Sequence, residues 1–184
     1  RRVLFRSDYV ELEGIGQIEI LKGPSSTQYG SDGLAAAVNF KTVTADQLLK
    51  EREKSAVIKA GHRSVNESSS GSVRLAQKGL DWSALLISSL TSGAQTTNQG
   101  VIDVPDANRT KPNPESNHQR YLLAKMEKQL SGYQNIVLTL EDVSKYRKTN
   151  LYSARTSTIF DHQANDQLKR QRISIDMTTK KSIF

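Results

Sequence analysis

The sequence is informative first through what it lacks. It contains no cysteine, which excludes disulfide bonds and thiolate metal sites. It also has no apolar run near the ~18 residues that a membrane-spanning helix needs, and its mean hydropathy is -0.55. Aromatic residues make up 6% of the chain. A helical membrane protein and a disulfide-stabilised scaffold are therefore both excluded.

Charge of one sign is in excess. The chain has 26 Lys and Arg residues against 19 Asp and Glu, which gives a net charge of +7. Such an excess is either a solvated basic surface or an attraction to polyanions, such as nucleic acid or phosphate-rich lipopolysaccharide. A nucleic-acid-binding β-domain would interleave aromatic residues with Lys and Arg on one strand face. The low aromatic content argues against that alternative.

The most distinctive stretch is residues 18–40, IEILKGPSSTQYGSDGLAAAVNF. A short run of β-forming residues precedes a polar loop, and a second apolar run follows it. Gly23, Gly30 and Gly33 can adopt positive φ without penalty, while Pro24 disfavours helix at the residue before it. The pattern predicts two short strands joined by a compact loop.

This stretch resembles the end of the plug domain of TonB-dependent outer-membrane receptors, where a similar segment closes the plug just before the barrel starts. Lys22 stands where Arg is commoner in the family, and Ala36 and Ala37 stand where it often has a Gly pair. Both departures preserve charge or small size. The matching residues are Ile18, Glu19, Ile20, Lys22, Gly23, Pro24, Ser26, Tyr29, Gly30, Val38, Asn39 and Phe40.

The resemblance implies the domain organisation. Residues 8–45 would form the C-terminal part of a plug domain, and residues 46–184 the N-terminal strands of a transmembrane β-barrel. Residues 1–7 resemble a non-native read-through and are left out of the fold. We expect a mainly β internal fragment with about six of the roughly 22 antiparallel strands of such a barrel. The signal peptide and the TonB box would lie upstream of it.

Residues beyond 54 alternate between apolar and polar, as half-buried strands do. Leu85 and Ile87 interrupt the alternation of the third run, and a short helix is predicted for residues 45–53. The alternating runs cover residues 55–63, 72–78, 82–90, 120–130, 135–141 and 172–177.

The connections between these runs differ in length. Tight turns at residues 78–81 and 131–132 alternate with long polar segments at residues 93–117 and 145–166. Short turns at one end and long loops at the other are typical of an outer-membrane barrel. Trp82 follows a tight turn, so we expect it in the inner aromatic girdle; the alternative is a core position in a soluble β protein.

We predict no catalytic or metal-binding residues. His62, His118 and His162 lie far apart without ligand-type spacing. The pair Gly14-x-Gly16 lacks the third glycine of a dinucleotide-binding loop. The sequence therefore favours a protein that is not an enzyme, and it leaves cofactor-binding residues unassigned.

Glu19 and Lys22 belong to the plug signature together with Gly23, Pro24, Tyr29, Gly30 and Asn39. They are either an exposed pair of little energetic weight or partners of inward-facing charges on the barrel wall. Breaking a buried charge pair costs several kcal/mol, so wall pairing would hold plug to barrel. We favour wall pairing.

Residues 40–49 and 93–100 are similar to the haem, haemoglobin and transferrin receptor subgroup. This resemblance implies uptake of haem or haem-protein iron, driven by the TonB complex through a segment outside this chain. The alternatives are a ferric-siderophore receptor of the same fold and a soluble basic β-domain that binds a polyanion. Haem or a ferric chelate would be transported, with no cofactor bound by this chain. We further expect a monomer in outer-membrane lipid without nucleic acid, and a protein ligand at residues 93–117.

Overall fold

A computed structural model describes residues 11–22, 36–160 and 162–179. Its first sheet is an antiparallel pair, β1 (Ile15–Lys22) and β2 (Ala36–Thr42). Ile18 lies opposite Phe40, and Ile20 opposite Val38. The two strands predicted around the polar loop are thereby confirmed. The loop itself, with Gly23, Pro24, Tyr29 and Gly30, lies outside the described residues, as do residues 1–7.

A short helix, α1 (Ala45–Leu49), leads from β2 to the second sheet. Thr44 and Gln47 form a capping box: Thr44 Oγ1 accepts from the Gln47 backbone N–H at 3.4 Å, and Gln47 Oε1 from the Thr44 N–H at 2.9 Å. The prediction that the helix reaches residue 53 is wrong. Lys50 and Glu51 adopt φ values of 46° and 76°, and this left-handed backbone ends the helix.

Within the described residues, the second sheet has six strands in chain order, each antiparallel to its neighbours. A short 3₁₀ turn at Ser64–Asn66 joins the first two. Among the described helices, none is long and apolar enough to cross a membrane. The strands are β3 (Lys54–Arg63), β4 (Ser68–Lys78), β5 (Trp82–Ala94), β6 (Glu115–Ser131), β7 (Gln134–Asn150) and β8 (Gln163–Thr179).

The six predicted runs and both tight turns are confirmed, but the strands extend further toward the long loops. Residues 145–166, predicted as a polar loop, are strand up to Asn150 and again from Gln163. Polar residues continue the ladder there: Lys148 pairs with Ser116 on one side and Asn165 on the other. Backbone pairing therefore extends beyond the residues whose apolar alternation marked the strands in the sequence.

One face of the six-stranded sheet is covered by residues 11–14 and 43–49. Leu85 and Ile87, which interrupt the alternation of β5, lie on this covered face and are buried. Their apolar character follows from contact with α1 and the residues before it. The core between the two parts consists of Val43, Ala45, Leu49, Ala76, Leu85, Ile87, Tyr121, Leu123 and Val143.

The opposite face is open and apolar. Directly opposed residues of neighbouring strands share a face, and they form rows across the sheet. One row joins Ala124, Leu140 and Ile173, and the next joins Met126, Leu138 and Ile175. Exposed fractions reach 79% at Ile58 and 75% at Ile173. The sheet thus has one covered face and one apolar, uncovered face. Large exposed residues on the uncovered face include Ile58, Val73, Leu75, Leu86, Leu90, Leu122, Met126, Leu140, Ile173, Ile175 and Met177.

Candidate functional site

The residues before β1 are held against the covered face by charge. Glu11 is buried and lies 2.7 Å from Lys145 Nζ, and it also accepts a hydrogen bond from Gln119. Glu13 accepts two hydrogen bonds from Arg74, at 2.5 and 2.9 Å. Because Lys145 is on β7 and Arg74 on β4, the two carboxylates tie one short segment to strands far apart in the sheet.

Two glycines allow a close approach between the elements. A Cβ at Gly14 would lie 2.5 Å from Tyr121 Cζ, and a Cβ at Gly16 would lie 2.7 Å from Val43 Cα. Both are well inside van der Waals contact. The Gly14 carbonyl also accepts a hydrogen bond from Val43 N–H at 2.9 Å. The Gly-x-Gly pair therefore serves packing, a role that the sequence alone did not assign.

The sheet provides further polar contacts beneath this segment. Tyr121 is fully buried, and its hydroxyl donates to Glu141 at 3.4 Å. Arg170 donates to the same carboxylate at 3.1 Å. Lys125 donates to the carbonyl of Thr42 at 3.3 Å. The covered face therefore combines an apolar centre with partnered charges around it.

Among the described residues Glu19 contacts partners in its own hairpin, and its pairing with a barrel wall stays a prediction. Its carboxylate binds Lys41 at 2.5 Å and Asn39 at 3.1 Å, both within the first sheet. The hydrogen bonds from Lys41 and then Asn39 hold the pKa of Glu19 below its ordinary value. Lys22 ends β1 opposite Ala36, and its side chain lies outside the described part. Glu11 and Glu13, by contrast, contact the six-stranded sheet.

The long loop between β5 and β6 is organised by one buried cation. The Arg109 side chain is 4% exposed. Its guanidinium donates to the Pro112 carbonyl at 3.0 Å, to the Val104 carbonyl at 3.3 Å, and to the Asp103 carboxylate at 2.5 Å. The hydrogen bond from Arg109 holds the pKa of Asp103 below its ordinary value. The pair contributes most stability above the ordinary pKa, and that contribution is lost as the pH falls through the lowered one.

This loop also contacts the loop between β7 and β8. Asn113 Nδ2 donates to Ser153 Oγ at 2.9 Å, and Asn113 Oδ1 accepts from the Ser153 backbone N–H at 3.0 Å. Arg109 lies 5.2 Å from the centroid of the Tyr152 ring, and Arg155 lies 4.2 Å from it. A cavity of about 370 Å³ opens beside Arg109 and Tyr152. The two loops therefore form one polar unit at the same end of the sheet.

We expect Arg109→Ala to release this loop while leaving the strands intact, because the substitution removes a buried cation that joins three acceptors. Amide hydrogen exchange across residues 100–113 should accelerate by at least about tenfold, as when a charged hydrogen-bond network is lost. The control is Lys111→Ala, since Lys111 is 45% exposed and meets the same Asp103 at 3.5 Å. Equal acceleration in both variants would contradict the role given to Arg109.

The histidines lie apart in the described structure. His118 is on β6, His162 precedes β8, and His62 on β3 lies 3.2 Å from the Ser69 hydroxyl. Among the described residues, no three His, Asp or Glu side chains form a group that could hold a metal ion. Trp82 is half-buried against Gly79 at the tight-turn end. Its place in an aromatic girdle stays a prediction.

No protein-family model matches the chain. A comparison with known proteins finds a 25% identical relative over 89% of this chain, the haemoglobin-binding protein A of Haemophilus influenzae. The chain spans 18% of the length of that protein. The chain is thus a mainly β protein with weak similarity, over most of its length, to one segment of a haemoglobin-binding protein.

Proposed function

We propose that this chain is part of a TonB-dependent outer-membrane receptor that takes up haem or iron from haem proteins. In this proposal residues 11–45 belong to the end of the plug, and β3–β8 are consecutive strands of the barrel wall. The transported ligand is haem or a haem protein, and the TonB complex supplies the energy through a segment outside this chain.

The observation behind this proposal is the contrast between the two faces of the six-stranded sheet. One face packs on a preceding segment through Glu11, Glu13 and a small apolar core. The other exposes consecutive rows of large apolar residues. A water-soluble monomer rarely leaves so extended an apolar surface uncovered. A barrel wall needs this arrangement, with lipid outside and a plug inside.

The ligand is inferred from the relative and from the loops. The relative that covers most of the chain is named for binding haemoglobin. The β5–β6 loop, which contains Arg109, and the β7–β8 loop, which contains Tyr152, hold each other in place. This lowers the conformational entropy that a protein ligand would have to remove on binding. A protein ligand at these loops fits both observations.

The test uses the full-length receptor that contains this chain, expressed in a Gram-negative strain that cannot make haem. We expect the receptor to fractionate with the outer membrane, to be captured by haemoglobin-agarose, and to support growth on haemoglobin when TonB is present. Capture should persist without TonB, whereas growth should stop. Failure of haemoglobin capture alongside binding of a ferric siderophore would replace haem with that alternative ligand.

A further inference from the structure

The uncovered face of the sheet changes character abruptly along β6, β7 and β8. Its apolar rows end at the row of Leu122, Asp142 and Gln171. The next row toward the long loops consists of Arg120, Ser144 and Lys169. Polar side chains thus begin one row beyond the last wholly apolar row, and cationic side chains begin in the row after that.

The charge beyond this boundary is mainly positive. Arg120, Lys148 and Lys169 lie on this face, and Asp142 is the carboxylate that faces them from the neighbouring row. Arg120 Nη2 is 3.1 Å from Asp142 Oδ2, yet the Arg120 side chain is 61% exposed. Among the described residues, neither Lys148 nor Lys169 is within ion-pair distance of a carboxylate. Three cations against one carboxylate leave an excess of two positive charges.

Asp142 orients the arginine without cancelling the patch. Its other oxygen accepts a hydrogen bond from Gln171 at 2.9 Å, which fixes the carboxylate between β6 and β8. One edge of the Arg120 guanidinium is engaged by Asp142, and a guanidinium has five donors in all. The remaining donors stay accessible to an anion in solvent.

From this arrangement we propose a binding site for a phosphate-bearing lipid on the uncovered face, with the phosphate between Arg120 and Lys169 and the acyl chains along the apolar rows. The proposal rests on the membrane placement given above. Arg120 and Lys169 are separated by two strand spacings of about 4.8 Å each, and two long cationic side chains can reach one phosphate across that distance. Ser144 lies between them with a hydroxyl that can donate to the same group.

The apolar rows favour an amphiphile over free phosphate. Ala124, Leu140 and Ile173 lie two rows from the cations, on the side away from the long loops. An ion without acyl chains would contact the cations alone, where exposed charge pairs are worth little. A lipid also has acyl chains that remain in the hydrocarbon region beside the apolar rows, which keeps its phosphate at the level of the cations. Contacts of the phosphate with the cations and contacts of the acyl chains with the apolar rows come together only where the apolar rows meet the cationic row.

The experiment is native mass spectrometry of the full-length receptor in detergent, titrated with dioleoyl phosphatidic acid. The Arg120→Gln/Lys169→Gln variant should bind this lipid about tenfold more weakly, because charge-assisted hydrogen bonds to the phosphate are lost. The control variant, Lys54→Gln/Lys128→Gln, removes two cations at the other end of the apolar rows. Its affinity should stay within about twofold, as expected for exposed charges. Lys148→Gln/Lys169→Gln provides a second test that keeps the Arg120–Asp142 pair.

Four results would overturn the proposal. One is equal weakening in the control variant, and another is equally tight binding of dioleoylglycerol, which has the same chains but no phosphate. The third is a receptor dimer that the Arg120→Gln/Lys169→Gln substitution dissolves, since it would assign the patch to a second copy. Inorganic phosphate that competes at the lipid's own concentration would likewise exclude a lipid site. Haemoglobin capture on the same preparations tests the proposed transport function separately.

Discussion

Gly14→Ala should detach the segment before β1 from the sheet. The added methyl group would overlap the Tyr121 ring, with 2.5 Å between Cβ and Cζ, and Tyr121 is fully buried and cannot swing away. Overpacking of this kind costs about 1–3 kcal/mol, and we expect the upper end because the three nearest heavy atoms all belong to this buried ring and its hydroxyl. Hydrogen exchange of the amides at residues 11–16 and 42–49 should accelerate by about a hundredfold.

The matched control is Gly71→Ala. Gly71 lies on β4 of the same sheet, and an added Cβ there would meet no heavy atom within 4 Å. Exchange at residues 11–16 should therefore remain at the wild-type rate. If the Gly14 variant behaved like the Gly71 variant, the close contact with Tyr121 would not hold the segment in place.

Glu11→Ala should weaken the attachment of the segment before β1 to the sheet, because it removes a buried charge. The carboxylate is buried, and its loss removes the ion pair with Lys145 at 2.7 Å and the hydrogen bond from Gln119. Breaking a fully buried pair costs about 3–5 kcal/mol. The Lys145 side chain is 24% exposed, so about 2–3 kcal/mol is expected. The same exchange measurement should show an acceleration on the order of thirtyfold to a hundredfold.

Glu19→Ala is the control for this second experiment. Glu19 also pairs with a lysine, but that lysine is Lys41 of its own hairpin, and the pair is exposed. Attachment to the sheet should not change. A double-mutant cycle with Lys145→Ala would then isolate the part of the Glu11 effect that belongs to the pair. A coupling energy near zero would show that Glu11 acts through Gln119 or through packing alone.

The sequence predicts the strands well because alternation records which face of a sheet is apolar. It predicts strand ends poorly where polar residues keep pairing, as around Lys148, since backbone hydrogen bonds need no apolar side chain. Helix α1 ends early for a similar reason: the left-handed backbone at Lys50 and Glu51 uses no glycine, which is the usual signal for such an ending.

The contacts across elements were harder to predict. Glu19 was assigned to the wall because it lies in the recognisable motif, whereas Glu11 and Glu13 make the observed contacts from outside it. The buried Arg109 had no periodic signal, because its partners are carbonyl groups of its own loop. The Gly14-x-Gly16 pair and the apolar residues Leu85 and Ile87 were visible signals, and their meaning became clear only with the segment docked on the sheet.

The unequal connections between strands also have a consequence for assembly. The β6–β7 link consists of residues 132 and 133, whereas residues 95–114 separate β5 from β6. A loop about tenfold longer costs roughly 2 kcal/mol more in chain entropy to close. We therefore expect two units to form first, one by pairing of β3, β4 and β5 and the other by pairing of β6 with β7. The joining of β5 to β6 is then the slow event in which the six-stranded sheet becomes continuous.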